Sequence, residues 1–484
     1  MYFFSLPRIC TFLHHILGGH SPDFQATVTI ILITGQINTC HDLQTCVTVQ
    51  VTLKGMHMSS FIVEGGRPLF GEVNPSGNKN EALPVLAASL LASGPVTLRN
   101  IPHIGDINTM IKLLKDLGAT VTNDHEGNLI IDPAILGNSE PDQHLCAKIR
   151  ASFLLAGPLL ARRGHLELPR PGGDRIGRRR LDTHVSALQA LGAEIVLGKS
   201  YIMTAPNGLK GAEIFLDEAS VMATENAIMG TVCADGESKI YNAACEPHVQ
   251  GLCNMLNAMG AKISGVGSNL LTVRGVCKLN GCEHRVMSDH IEIGSFIGLA
   301  AVTGGEIKIN NVEAENMRMI RMAFQRIGVE TVFEGTSLTV PKHQKMIVQC
   351  DLDGAIPQID DAPWPGFPAD LTSIILVTAT QCKGTVLIHE KMFESRLFFT
   401  DALVSMGASI VLCDPHRAVV IGPASLYGAE LSSPDIRAGM ALLIAALKAK
   451  GRSVIHNIRQ IDRGYDNIDA RLKGLGARIE RVLV

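Results

Sequence analysis

The chain has 484 residues, 46% hydrophobic and 18% charged, which excludes a disordered or fibrous protein. Its net charge of −3, with 43 basic against 46 acidic residues, argues against a polyanion partner. Aromatic residues at 4% argue against a base-stacking nucleic-acid surface, and the 12 cysteines include no CxxC and no zinc spacing, as reduced thiols of a cytoplasmic protein without a metal would.

Residues 1–57 differ from the rest: their only charges are Arg8, Asp23, Asp42 and Lys54, and they hold five histidines. His14 and His15 interrupt any secretory pattern, and the apolar run around Val28 to Ile33 is far shorter than the ~20 residues of a membrane span. The segment is expected to be a disordered extension outside the fold, with Met56 and Met58 as alternative starts and no membrane contact.

From residue 59 one phrase recurs, an amphipathic helix ending in Gly and followed by an apolar strand. Its instances are Leu117-Gly118-Ala119, Leu191-Gly192-Ala193, Met259-Gly260-Ala261, Ile327-Gly328-Val329, Met406-Gly407-Ala408 and Leu475-Gly476-Ala477. The glycines are 74, 68, 68, 79 and 69 positions apart. Each unit also carries an apolar helix, such as 82–91, 149–160 or 223–233, and short strands such as 96–98 and 239–241. A fixed period means a duplicated unit, here six mixed α/β units in two groups of three. The period is too long for a solenoid, and the helices exclude a propeller.

Four polar segments interrupt this aliphatic pattern. Pro75 to Asn80 leads into an apolar helix, so Lys79 is either an anion ligand at a helix start or a solvated turn residue. Pro171 to His184 reads as a glycine-rich mobile loop with four arginines, 175 and 178–180, suited to a small anion. His184 is more readily a core residue than a catalyst. Asp360 to Asp370 holds three prolines and the only Trp, with Asp370 either capping the helix from Leu371 or held to accept a proton. Arg150, Arg396 and Arg437 each sit beside apolar helical sequence in different repeats, where they either form salt bridges or converge on one anion.

Together these segments resemble the enolpyruvyl transferases, in the branch acting on UDP-N-acetylglucosamine. The resemblance rests on Ser76 to Pro84, the Pro171–Asp182 loop, Ala362–Asp370, Phe393–Arg396, Asp435 to Ala438 and Ile461 to Tyr465. It implies an α/β fold of two similar domains, each of three βαβαββ units around buried helices, an inside-out α/β barrel. One domain would take 79–287 and the other, discontinuous, 59–78 plus 288–484.

The resemblance implies transfer of the enolpyruvyl group of phosphoenolpyruvate to the 3′-hydroxyl of a UDP-sugar with release of phosphate, the first committed step toward peptidoglycan, without a cofactor. Lys79, Arg179 and Arg437 match positions that hold phosphoenolpyruvate, Arg150 another anion contact, and Asn80, Met392 and Arg396 substrate contacts. Arg179, Arg180, Leu181, Asp182, Thr183 and His184, with Ser220 and Val221, match nucleotide-contacting positions. Asp370 matches the carboxylate at the sugar hydroxyl and is the candidate base.

Three departures stand out. Asp174 replaces the loop Cys that delivers a proton and that the epoxide fosfomycin alkylates, so fosfomycin resistance is expected. Glu218 and Met222 stand for the usual Lys and Gly of the nucleotide segment. Gly105 and Trp364 stand for the usual Lys and His. These leave open a divergent enzyme with another nucleotide-sugar acceptor, or a non-catalytic relative; retention of Lys79, Asp370 and Arg437 speaks against the latter.

Overall fold

A helix that must end and feed a strand needs one residue with positive φ, which glycine adopts without a Cβ clash. All six repeat glycines do so, with φ between 81° at Gly328 and 105° at Gly260 and Gly407. At each, the next residue's N–H reaches back five positions to close the turn: Ala119 to Leu114, Ala193 to Leu188, Ala261 to Leu256, Val329 to Phe324, Ala408 to Leu403 and Ala477 to Leu472.

The computed structural model describes residues 26–33, 46–53, 59–137, 139–174 and 176–483. They divide into two compact units. In the first, Ala26–Ile33 and Cys46–Leu53 form an antiparallel strand pair. Two strands thus lie within the segment expected to be a disordered extension, and the remainder of 1–57 lies outside the described residues.

The second unit, Ser59–Val482, holds six sheets. Five have four strands in one pattern: a short strand parallel to the next, then two antiparallel strands. Gln358–Asp360 runs parallel to Gly384–His389, which pairs with Arg417–Gly422 and that with Ser409–Asp414. Inserting Thr372–Ala379 and Thr400–Ser405 between the strands gives β-α-β-α-β-β. The sixth sheet, His165–Pro169, Ser200–Thr204 and Glu194–Leu197, lacks the parallel strand.

The second unit begins and finishes in the same core. Ser59–Glu64 pairs with the late strand Arg452–His456, and Phe70–Val73 runs parallel to Glu306–Ile309. Asn78 and Met287 then meet through a 2.8 Å backbone bond where the chain passes between the cores. One aliphatic core gathers residues between Ala82 and Val286; the other gathers Phe61 to Val73 with Ile291 to Ile479.

Each core is organised around buried helices. His290–Thr303 and Thr372–Ala379 are buried along their whole length, and Ile436–Lys448 at all but its last residue. In the other core the buried set is Lys79–Ala88, the turn Arg150–Leu155 with Ala156–Arg163, and Val221–Thr231. The sheets alternate buried and exposed positions, as in Val96–Arg99 and Arg452–His456, so one face packs inward and the other meets water. Among the described residues no helix is long and apolar enough to cross a membrane.

Candidate active site

Six buried segments start at one cavity. Lys79, Arg150, Val221, His290, Asp370 and Arg437 each lie at or just before the first turn of a buried helix, and all six line it. Helix N-termini carry unpaired N–H groups and partial positive charge, so their convergence favours an anion before any side chain is counted.

The first helix is held in place by its own sequence. Asn78 caps it, its side chain accepting from Glu81 N at 3.0 Å. Gly77 is required by close approach, since a Cβ would stand 1.7 Å from Asn100 O. Glu81 accepts from His284 Nε2 at 2.8 Å and Met287 N at 3.0 Å, fixing the helix beside the crossover. Lys79 Nζ is then 3.7 Å from Asp106, with Asn80 also on the cavity wall.

Asp370 lies in the turn Ala369–Leu371 and does not cap the following helix, which starts at Thr372 with no side-chain cap. Its carboxylate accepts from Arg396 Nη2 at 3.1 Å and Arg437 Nε at 3.2 Å. Burial alone would raise its pKa, but Arg437, then Arg396 and Lys79, hold it well below the usual carboxylate range. Burial opposes charge on Arg437 too, yet Asp370 lifts its pKa above the ordinary value. Beneath Arg396, burial pushes the Glu390 carboxyl up to about 8 despite the guanidinium 3.6 Å away.

Both arginines are almost fully buried, and Arg396 Nη1 and Arg437 Nη1 have no hydrogen-bond partner among the described residues. A buried cationic donor without an acceptor is costly, so these atoms mark where anionic oxygens fit. Arg179 adds a third guanidinium on the cavity wall, without an ion pair within 4.0 Å among the described residues. Burial presses its pKa below the ordinary value, against the pull of Asp174 and Asp370.

The loop expected to be mobile is docked. Asp174 pairs with Arg463, which also donates to Asp106 at 2.8 Å and to Gln460 at 2.8 Å. Arg178 N donates to Glu394 at 3.0 Å, and Ser395 N to Ile176 O at 3.1 Å. The loop of one core thereby latches onto the other and covers the cavity. Arg175 lies outside the described residues.

The structure brings Lys79, Asn80, Arg150, Asp174, Arg179, Val221, Asp370, Met392, Arg396 and Arg437 onto one surface. Arg150 works partly through the backbone, its Nη2 donating to the carbonyls of Arg179 at 3.0 Å and Arg180 at 2.9 Å. Burial, then Arg179, pushes its pKa down to about 10.

Six expected contacts stand outside the cavity wall. Arg180 pairs with Asp182 and Asp217, each at 3.1 Å, and Thr183 donates to Asp217 at 2.6 Å. Leu181 precedes the helix Asp182–Ala190, and Ser220 sits just before Val221–Thr231. His184 is buried, accepts from Asn226 Nδ2 at 2.9 Å, and is pushed down to about 3 by burial and then Arg150, so it is a neutral core residue.

Sequence reasoning gave no role to Arg463, Asp106, Glu225, Glu246, His248 or His290, which also line the cavity. Arg463 lay in a recognised motif; the others carry no local signal, because their partners are distant in the chain.

The fold is that of solved enolpyruvyl transferases. The enolpyruvyl transferase NikO from Streptomyces tendae aligns with a TM-score of 0.77 at 21% identity, covering 88% of this chain and 99% of that one. EPSP synthase from Acinetobacter baumannii aligns at 0.68 and 18% identity, covering 88% and 100%. The chain belongs to the EPSP synthase (3-phosphoshikimate 1-carboxyvinyltransferase) family, matched over residues 63–472. Curated relatives include the UDP-N-acetylglucosamine 1-carboxyvinyltransferase of Treponema denticola, 57% identical over 423 residues, covering 87% of this chain and 99% of the relative. The Bradyrhizobium diazoefficiens protein of that name is 53% identical over 422 residues, covering 87% and 98%.

Proposed function

We propose that the protein transfers the enolpyruvyl group of phosphoenolpyruvate to the 3′-hydroxyl of UDP-N-acetylglucosamine, releasing phosphate. The carrying observation is the covered cavity in which Lys79, Arg179, Arg396 and Arg437 surround one carboxylate, with buried guanidinium N–H groups left without acceptors. Relatives up to 57% identical bear the name of this activity.

The geometry supports a division of labour. Phosphate and carboxylate oxygens take the free donors of Arg396 and Arg437 together with Lys79 and Arg179. Anion binding competes with Asp370 for the same guanidiniums, which loosens that carboxylate's pairs and leaves it to accept the hydroxyl proton. The hydroxyl oxygen bonds to C2 as C3 takes a proton, for which Asp174 is placed in the covering loop. Delivery requires the Asp174–Arg463 pair to open. The resulting ketal then loses phosphate from C2 as C3 gives up a proton, restoring the enol ether. Fixed cations stabilise the charge moving onto the phosphate oxygens, and the docked loop keeps water out.

In this reading the product is a peptidoglycan precursor made in the cytoplasm, no cofactor enters, and Asp174 confers fosfomycin resistance. Met222 on the cavity wall favours a second reading, a different nucleotide sugar as acceptor. Phosphate release from phosphoenolpyruvate, measured with a panel of nucleotide sugars, tests both. Release that requires UDP-N-acetylglucosamine supports the first reading; release only with another acceptor supports the second; none with any acceptor defeats both.

A further inference from the structure

The cavity has a second, chemically opposite wall. Glu225 is the fifth residue of the buried helix Val221–Thr231, and Glu246 directly precedes the helix Pro247–Ala258, which carries His248. All three line the cavity that Asp370 and the arginines line. Glu225 is 1% exposed and His248 5%, so neither is a surface group that happens to face a hollow. Glu225 Oε1, Glu246 Oε2 and His248 Nδ1 are buried without a hydrogen-bond partner among the described residues.

The rest of this corner is pinned. His290 Nδ1 accepts from Asn78 Nδ2 at 3.1 Å, and its ring lies parallel to that of His248 at 6.2 Å. Trp364 stands edge-on to His290 at 6.1 Å, and its backbone N–H donates to Glu246 Oε1 at 3.4 Å. The three free atoms are therefore held by a rigid surround.

Burial also disfavours charge in this corner. Burial, and next the neighbouring Glu246, raise the Glu225 carboxyl well above its usual range. Burial, then His290, pushes His248 down to about 3. A neutral imidazole and carboxyls whose ionisation burial disfavours offer hydrogen-bonding partners rather than a counterion. Such a surface repels neither a hydroxyl nor an amide, and it gives a phosphate nothing to pair with.

From this we infer that Glu225, Glu246 and His248 form a subsite for the uncharged hydroxyl and amide groups of the acceptor sugar, set against the arginine wall that takes the anions. The inference rests on the acceptor reading above and adds what distinguishes the sugar from the rest of the nucleotide. Its chemistry is that of a site built to hydrogen-bond a polar substituent, which rejects ligands lacking it because its own buried groups are then unpaired.

The test is calorimetric binding of UDP-N-acetylglucosamine and of UDP to the full-length protein and to Glu225→Met, Glu225→Gln and His248→Leu. The methionine and leucine variants replace a buried polar group by an apolar one of similar size, which folding tolerates. Expected are unchanged affinity for UDP and a preference for UDP-N-acetylglucosamine over UDP at least about tenfold smaller in Glu225→Met and His248→Leu. Glu225→Gln, which keeps a donor and an acceptor, should retain most of that preference. Variants that keep the full preference, or lose UDP as strongly as the sugar nucleotide, overturn the subsite. Failure of the unmodified protein to bind UDP-N-acetylglucosamine overturns the acceptor reading itself, and the subsite with it.

Discussion

Replacing Asp370 by Asn separates two roles the geometry gives this carboxylate. As a counterion it answers two guanidiniums, Arg396 at 3.1 Å and Arg437 at 3.2 Å, whose side chains are only 2% and 4% exposed. Removing one member of a buried ion pair costs about 3–5 kcal/mol, because the remaining charge is stranded. Asp370 is itself 29% exposed and Glu390 still lies beside Arg396, so the lower part of that range applies, ~3 kcal/mol in anion-free buffer. As a base it should contribute about 10²–10⁴-fold to turnover. The two roles predict opposite effects of ligand. Asp370→Asn removes an internal competitor for the cations, so phosphoenolpyruvate without acceptor should bind at least as tightly as to the unmodified enzyme and restore the lost stability. Urea unfolding with and without phosphoenolpyruvate measures the first role, and phosphate release the second. Turnover within tenfold of the unmodified enzyme would refute the base. Weaker binding of phosphoenolpyruvate at unchanged stability would refute the counterion.

Other consequences follow from the same contacts. Opening the fosfomycin epoxide needs a soft nucleophile, so the enzyme should show no covalent adduct by intact mass and no time-dependent inactivation; Asp174→Cys should gain both, the thiolate being favoured beside Arg463, and an adduct on the unmodified enzyme would sink the argument. Gly177 has φ of 135°, and a Cβ there would stand 2.4 Å from Glu394 Oε2, so Gly177→Ala should undock the loop. Its signature is faster proteolysis within residues 171–178 and at least about tenfold lower kcat/KM with an intact fold, since misplacement near a site costs on that scale; an unchanged cleavage rate would count against the latch. His184 is held neutral with a pKa near 3 against ~6.5 when unfolded, so the unfolded chain binds more protons between those values and stability must fall as pH falls through that window. The loss is at most about 5 kcal/mol from 3.5 units at 1.36 kcal/mol each. His184→Gln should flatten the urea midpoint between pH 7 and 4, and equal slopes in the two proteins would refute the assignment.

The repeat was legible because a C-terminal glycine is a local demand, met by one residue and the few before it. Gly118 and Gly476 follow helices of different cores, yet satisfy the same turn. The helix starts were legible for the same reason: Lys79 and Arg437 sit in segments where polar residues interrupt an aliphatic pattern. Of the two roles that the sequence left open for Asp370, the cap is not taken up: capping is a contact within four residues, whereas its partners lie 26 and 67 positions away. Arg180 and Asp182, expected from the resemblance to contact the nucleotide, pair with each other and with Asp217 at the surface. The pairing of Ala26–Ile33 with Cys46–Leu53 was not read from the sequence, because its two strands are separated by a stretch with no strand pattern of its own.

The two walls of the cavity explain why its halves differed so much in visibility. An anion can be held by helix N-termini and by cations one turn inside them, so evolution of that wall acts at helix starts, where sequence breaks pattern. Holding an uncharged group needs neutral donors and acceptors kept dry; Glu246 and His248 stand at the start of Pro247–Ala258, but Glu225 sits within the body of the helix Val221–Thr231. There Glu225 stands between Thr224 and Asn226 in an otherwise apolar helix, and an unpaired carboxyl is a position that sequence logic counts as an error in a core. Its burial without a partner is tolerable only if something supplies the missing bond. The anion wall is therefore legible where polar residues break an aliphatic pattern, whereas Glu225 stays concealed until its partnerless carboxyl is seen to line the cavity.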